Sequence, residues 1–199
     1  MTEFWLVRHG QTDWNIARRY QGHADIPLNQ VGIDQAFALA KLFAAETFIA
    51  IYSSDLSRAS QTATIVGHRL GLSVFIDSRL REICQGDWEG MSLDEVKENY
   101  AADFSRGASD PSSTRAPGGE SVSEVAARMA QVANEIQQKH PAGKVLIISH
   151  GLAVSTLYCQ AAGISLTQVY HHIPDNAVPM IITWKPYHSQ SKSALDLIK

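Results

Sequence analysis

Three short polar clusters each follow directly on an apolar run: Arg8-His9-Gly10 after residues 4–7, Ser53-Ser54-Asp55 with Arg58 after residues 49–52, and Ser149-His150-Gly151 after residues 145–148. Imidazoles and guanidiniums suit phosphoryl chemistry. A neutral imidazole is a nucleophile, and a guanidinium presents a planar fork of donors to two oxygens at once. Gly10 and Gly151 permit close backbone approach. Helices predicted to open near Leu56 and Leu152 would aim free N–H groups and the positive ends of their dipoles at an anion, so Gly151 and Leu152 are expected among its contacts. Arg8, His9, Arg58 and His150 converging on helix N-termini describe a pocket for a dianion.

The apolar runs must position these groups. Residues 4–7, 49–52, 74–76, 145–148 and 180–184 have the length and β-branched content of buried strands. Between them, Ile33, Ala36, Phe37, Ala40, Phe43 and Ala44 recur with helical period, as do Val122, Val125, Ala126, Met129, Val132, Ala133 and Ile136. Alternating strands and helices predict an α/β fold, a three-layer α/β/α sandwich around a mostly parallel sheet. In such sheets ligands bind beyond the carboxyl ends of the strands, where all three clusters fall. Asp55 is expected to cap the helix opening at Leu56, Ser121 and Glu124 have capping-box spacing, and His140-Pro141 should end the helix before it. Residues 103–119, rich in Ser, Ala, Pro and Gly, read as a long irregular connection and a candidate lid, and residues from about Tyr187 as a frayed tail.

One domain spanning residues 1–199, with a lid or insertion at about 83–120, is the expected organisation for a chain of this length. A hydrophobic content of 45% and a formal charge of -3 argue against nucleic acid as a partner. The N-terminal apolar run stops at Arg8, too short for a secretion signal, and no stretch has the length to span a bilayer, which predicts a cytoplasmic chain without membrane attachment. Cys84 and Cys159 lack the spacing of a zinc site or disulfide framework. The adjacent His171 and His172 point apart and are expected on the surface or a dimer face. A homodimer is compatible with the sequence, which does not fix the oligomeric state.

The stretch Leu6-Val7-Arg8-His9-Gly10-Gln11-Thr12-Asp13-Trp14-Asn15 resembles the signature of the histidine phosphatase superfamily, the phosphoglycerate-mutase-like proteins. The resemblance continues, in order and at the family's spacing, through residues 21–28, 53–63, 80–83, 86–90, 118–121 and 145–151. It becomes looser beyond Leu152. It implies the family fold and assigns His9 as the nucleophile, with Arg8, Arg58 and His150 holding the transferring oxygens. Glu82 matches the general acid, which protonates the departing alkoxide and then, as carboxylate, activates water. Asn15 matches a phosphate contact, and Gln21 and Gly22 line the mouth. Positioning and charge neutralisation carry such a transfer, so no metal and no cofactor are expected.

From the residues alone, Glu82 also reads as a surface partner of Arg79 or Arg81. Asn15 and Gln21 likewise read as turn and loop residues, and Trp88 as packing for the lid. Ser53 is expected to support Arg58 or the sheet edge, and Glu120 either to reach the pocket or to belong to the turn before Ser121. In the cofactor-dependent mutases the acid is followed closely by an Arg-rich stretch. Here no Arg follows Glu82 until Arg106. The expected activity is therefore a phosphatase acting on small phosphorylated metabolites with release of inorganic phosphate, behind an apolar rim of Ile83, Met91, Tyr100 and Phe104. A phosphoglycerate mutase is the alternative. A non-catalytic phosphate- or phosphoprotein-binding module is the second, disfavoured because such a module has no use for both nucleophile and acid.

Overall fold

In the computed structural model, which describes residues 1–109 and 112–185, five strands form one sheet: β1 (Thr2–Arg8), β2 (Phe48–Ser53), β3 (Val74–Ile76), β4 (Gly143–Ser149) and β5 (Pro179–Thr183). Their order is β3-β2-β4-β1-β5, all parallel except β5, which runs antiparallel to β1 at the edge. The side-chain period of two gives the central strands two apolar faces. On one, Phe4, Leu6, Tyr52, Val145 and Ile147 pack against α6 (Val122–Lys139) and α7 (Gly151–Ala162). On the other, Val7, Ile51, Leu146 and Ile148 meet α2 (Gln30–Leu42) and α3 (Ser57–Leu70). The central strands are thus buried on both sides, as their near-continuous apolar runs require. The three-layer sandwich stands as expected.

The capping box of Ser121 and Glu124 is present, and α6 ends at Lys139 with His140 as its C-cap. Asp55 does not cap α3. That helix opens one residue later than expected, at Ser57, with no side-chain bond from its N-cap Leu56. Asp55 instead forms a double hydrogen bond with Arg81, at 2.7 and 2.5 Å. The cap comes from Asp25, whose carboxylate accepts from the Ser57 N–H at 2.6 Å and its hydroxyl at 2.7 Å.

Between β3 and α6 the chain forms a cap. The region read as irregular from Asp103 contains a helix: α4 (Leu93–Asn99) is followed by α5 (Ala101–Ser109). Asp103 sits in its first turn and pairs with Arg106, and Phe104 packs on a small cluster of Trp88, Val96 and Ala116. Favourable charge at the helix end and one partly buried ring outweigh the loop-like composition. Residues 112–119 do remain turns and loop, while residues 110–111 and the proposed tail from Tyr187 lie outside the described residues. Among the described residues, no helix is long and apolar enough to cross a membrane.

Candidate active site

His9 emerges from the carboxyl end of β1, and four bonds fix it. Its N–H donates to the Ser149 carbonyl at 3.0 Å, continuing the β1–β4 ladder, and its own carbonyl accepts from Asn176 Nδ2 at 2.8 Å. The next amide, Gly10 N–H, donates to Thr62 Oγ1 at 3.1 Å. The ring nitrogen Nδ1 lies 2.6 Å from the Gly10 carbonyl. A carbonyl only accepts, so Nδ1 carries the proton and Nε2 keeps its lone pair. Gly10 is required here: a Cβ would lie 2.4 Å from the Gly32 carbonyl oxygen. Burial, then the nearby charges of Arg58 and Arg8, hold the His9 imidazole well below its ordinary range, which keeps it neutral.

Around His9 stand the other groups whose sequence positions suggested an anion site. The His150 ring, at the end of β4, lies 5.2 Å from the His9 ring between centroids. It is fully buried and held neutral by burial and by the positive charge of Arg58. Arg58, on the first turn of α3, is also fully buried and gives one end nitrogen to the Ala24 carbonyl at 2.7 Å and the other to Gly22 at 2.8 Å. Gly22 has φ +51, and a Cβ there would lie 2.2 Å from Glu89 Oε1. The loop that anchors Arg58 thus depends on glycine. Burial pulls Arg58 down to about 10, opposed by Glu82, Asp25 and Glu89, and it remains charged at neutral pH. Arg8 reaches the Pro174 carbonyl at 3.1 Å.

Arg8 Nε, Arg58 Nε, Gln21 Oε1 and both ring nitrogens of His150 are buried without a protein partner. Leaving such groups unpaired costs on the order of 1–3 kcal/mol each, and the convergence of Arg8, Arg58 and Gln21 on one cavity marks a place built for a polar ligand. That cavity has a volume of about 280 Å³ and is lined by Arg8, His9, Asn15, Gln21, Gly22, Arg58, Glu82, Gly151 and Leu152 among others. Every site residue expected from sequence except His150 is in this lining. His150 stacks edge-on beneath His9.

Glu82 enters from the connection after β3. Its carboxylate accepts from the N–H groups of Ile83 at 3.0 Å, Leu152 at 3.2 Å and Ala153 at 3.2 Å. The positive end of α7 therefore holds Glu82, and the Leu152 N–H is engaged by it. Gly151 serves by lacking a side chain, since a Cβ would lie 3.4 Å from Arg8 Nε and 2.9 Å from Ile173. Arg79 and Arg81 do not pair with Glu82: the first holds Asp77 and Glu135, the second Asp55. Asn15 caps α1 (Asp13–Ile16) in a capping box with Thr12 while also lining the cavity, so its two readings coexist. Ser53 Oγ donates to the Ser54 carbonyl, while the end nitrogens of Arg58 go to Ala24 and Gly22 rather than to Ser53.

A second cavity of about 360 Å³ opens from the first, sharing Tyr20, Ile83, Gln85 and Tyr170 and adding Trp88, Leu93, Phe104 and Arg115. Of the expected rim, Ile83 and Phe104 line it, while Met91 and Tyr100 pack behind in the cap cluster. Trp88 does both, stacking near Tyr20 and Phe104 and lining the cavity. Residues that sequence reasoning passed over include Thr62, Asn176, His23, Glu89 and Arg128. His23 Nε2 lies 2.9 Å from the Glu82 carbonyl, and the Glu89 carboxylate accepts the His23 N–H at 2.7 Å. His23 falls inside a stretch of family resemblance, the one signal that pointed toward it.

Similarity to known proteins agrees with this geometry. Phosphoserine phosphatase 1 of Hydrogenobacter thermophilus is 35% identical over 92% of this chain and 86% of its own length. A Yersinia pestis protein named as a probable phosphoglycerate mutase is 35% identical over 82% and 76%. The solved structure of mycobacterial glucosyl-3-phosphoglycerate phosphatase complexed with VO3 superposes with a TM-score of 0.84 at 30% identity, covering 91% of this chain and 90% of that one. Residues 4–196 match the profile of the histidine phosphatase superfamily (branch 1), and the chain belongs to that family.

Proposed function

We propose that this phosphatase hydrolyses small phosphate monoesters through a phosphoryl group carried on Nε2 of His9. The observation that carries the reading is the His9 Nδ1 contact with the Gly10 carbonyl, which leaves Nε2 as the free base beside unpartnered donors of Arg8 and Arg58. In the first step the Nε2 lone pair forms a bond to phosphorus as the ester P–O bond breaks, and Glu82 gives its proton to the departing alkoxide. In the second, the Glu82 carboxylate takes a proton from water, the water oxygen bonds to phosphorus, and the N–P bond breaks to return neutral His9 and free phosphate. Arg8 and Arg58 neutralise charge on the phosphoryl oxygens, the neutral His150 ring donates a hydrogen bond to one of them, and Asn15, Gln21 and Gly22 complete the pocket. The route uses no metal and no cofactor.

The second cavity, walled by Tyr20, Ile83, Trp88, Phe104 and Tyr170, receives the leaving group, with the cap of residues 83–120 as its lid. A clamp for a second anionic end is thin here, which favours hydrolysis over transfer: among the described residues the linings of the two cavities add only Arg19 and Arg115 to Arg8 and Arg58, and each gives an end nitrogen to a carboxylate, Arg19 to Glu95 and Arg115 to Glu124. Phosphate release from p-nitrophenyl phosphate by wild type and His9→Ala tests the reading: the variant is expected to be inactive, and equal rates would remove His9 from the chemistry. Isomerisation of a phosphoglycerate without phosphate release would replace hydrolysis by transfer.

A further inference from the structure

The backbone that carries Glu82 belongs to no strand or long helix, yet its carbonyls are fully engaged. From within a single 3-10 turn at Ser78–Leu80 onward, the carbonyls of four consecutive residues, Arg79 to Glu82, accept from side chains distant in sequence. Arg128, on α6, donates to Arg79 and Arg81 at 2.7 Å each and to Glu82 at 2.8 Å, while Ser149 Oγ takes Leu80 at 2.6 Å. The two remaining donors of Arg128 go to Glu120, at 2.9 Å each. All five guanidinium N–H groups are thus used. Glu120 in turn accepts the Cys84 N–H at 2.9 Å, and its own N–H returns to the Cys84 carbonyl at 2.9 Å. The Arg128–Glu120 pair is mostly buried, with side-chain exposures of 17% and 25%.

We propose that Arg128, locked by Glu120, is the positioning residue of the acid: one rigid fork clamps the peptide on both sides of Glu82 and so aims its carboxyl at the leaving-group oxygen. The inference rests on Glu82 being the acid. A clamp of this kind has a chemical requirement, because lysine has three donors on a flexible stem and cannot reproduce five bonds in one plane. Arg128 lines neither cavity, but two of its partners do: Glu82 lines the first and Glu120 the second.

The test compares two substrates with different need for protonation. Nitrophenolate departs unaided, whereas the alkoxide of 2-phenylethyl phosphate needs the acid. Glu82→Gln sets the benchmark and should slow the alkyl ester by about a hundredfold or more while affecting p-nitrophenyl phosphate much less. Arg128→Lys should copy that selectivity, slowing the alkyl ester at least about tenfold more than the nitrophenyl ester. Glu120→Gln, which leaves the carbonyl bonds of Arg128 in place, should show the same pattern more weakly and serves as the test if Arg128→Lys does not fold. Equal slowing of both esters by the clamp variants, with Glu82→Gln selective, overturns the positioning role alone. A Glu82→Gln variant that slows both equally overturns the assignment of the acid, and the clamp with it.

Discussion

At the phosphate end of the double cavity, His9 and His150 are 3% and 0% exposed and rest on the carboxyl ends of β1 and β4, inside the main core. At the leaving-group end, Phe104 and Tyr170 are only partly covered, and the cap rests on a separate cluster of three buried residues, Trp88, Val96 and Ala116. The first region is built by the sheet itself. Moving His9 means breaking its bonds to Ser149, Asn176 and Thr62-anchored Gly10. The second can repack without disturbing the sheet. On the proposed reading chemistry and specificity are held by different parts of the fold, which fits a family whose members carry names for different substrates.

The sharpest way to break this comparison is Gly10→Ala. The new methyl meets the Gly32 backbone at 2.4 Å, a contact that cannot be relieved by a side-chain rotation. We expect a loss of about 1–3 kcal/mol in stability from overpacking and on the order of a hundredfold in kcat, because the His9 ring is tied to the carbonyl that must shift. A thermal melt and steady-state kinetics check both. Unchanged kcat would show that the phosphate end is less rigid than its bonding implies.

Phe104→Ala probes the other end. It should raise KM for esters with bulky apolar leaving groups roughly tenfold while leaving inhibition by inorganic phosphate unchanged. Parallel weakening of phosphate and ester would show that the two ends are coupled.

Much of the phosphate end was legible in the sequence because strands buried on both faces leave continuous apolar runs and the polar clusters follow them directly. The Ser121 box was legible for the same local reason. Asp25 capping α3 was not, since its partner lies in a different loop and Asp55 occupied the local position. Thr62 and Arg128 act through contacts made only when their helices dock, and Asn176 through the turn before β5, which returns to the end of β1. α5 was missed because its small and polar residues look like loop until Phe104 finds a cluster to cover. Glu82 was ambiguous between acid and surface ion pair; the second reading falls because Arg79 and Arg81 have carboxylate partners of their own.

A further effect concerns pH. Burial, with the neighbouring arginines, keeps His9 and His150 neutral when folded, whereas in the unfolded chain each takes up a proton below about 6.5. Both folded values are lowered, so stability should be full above that pH and fall as it drops, by about 1.4 kcal/mol per pH unit for each imidazole. The carboxylates of Asp55 and Asp77, held low by hydrogen bonds from Arg81 and Arg79, add their loss only further into acid. Denaturant melts between pH 7 and 5 on wild type and His150→Gln should show a shallower slope in the variant. An unchanged slope would mean that His150 does not resist protonation.

Nε2 of His9 is the expected carrier of the phosphoryl group, because Nδ1 is committed to the Gly10 carbonyl. Rapid acid-free quenching during turnover, followed by 31P NMR and peptide mapping, tests this assignment. The expected product is an acid-labile phosphoramidate on His9 at Nε2. A phosphoryl group on Nδ1, on another residue, or on no residue at all under conditions where turnover is under way would contradict it.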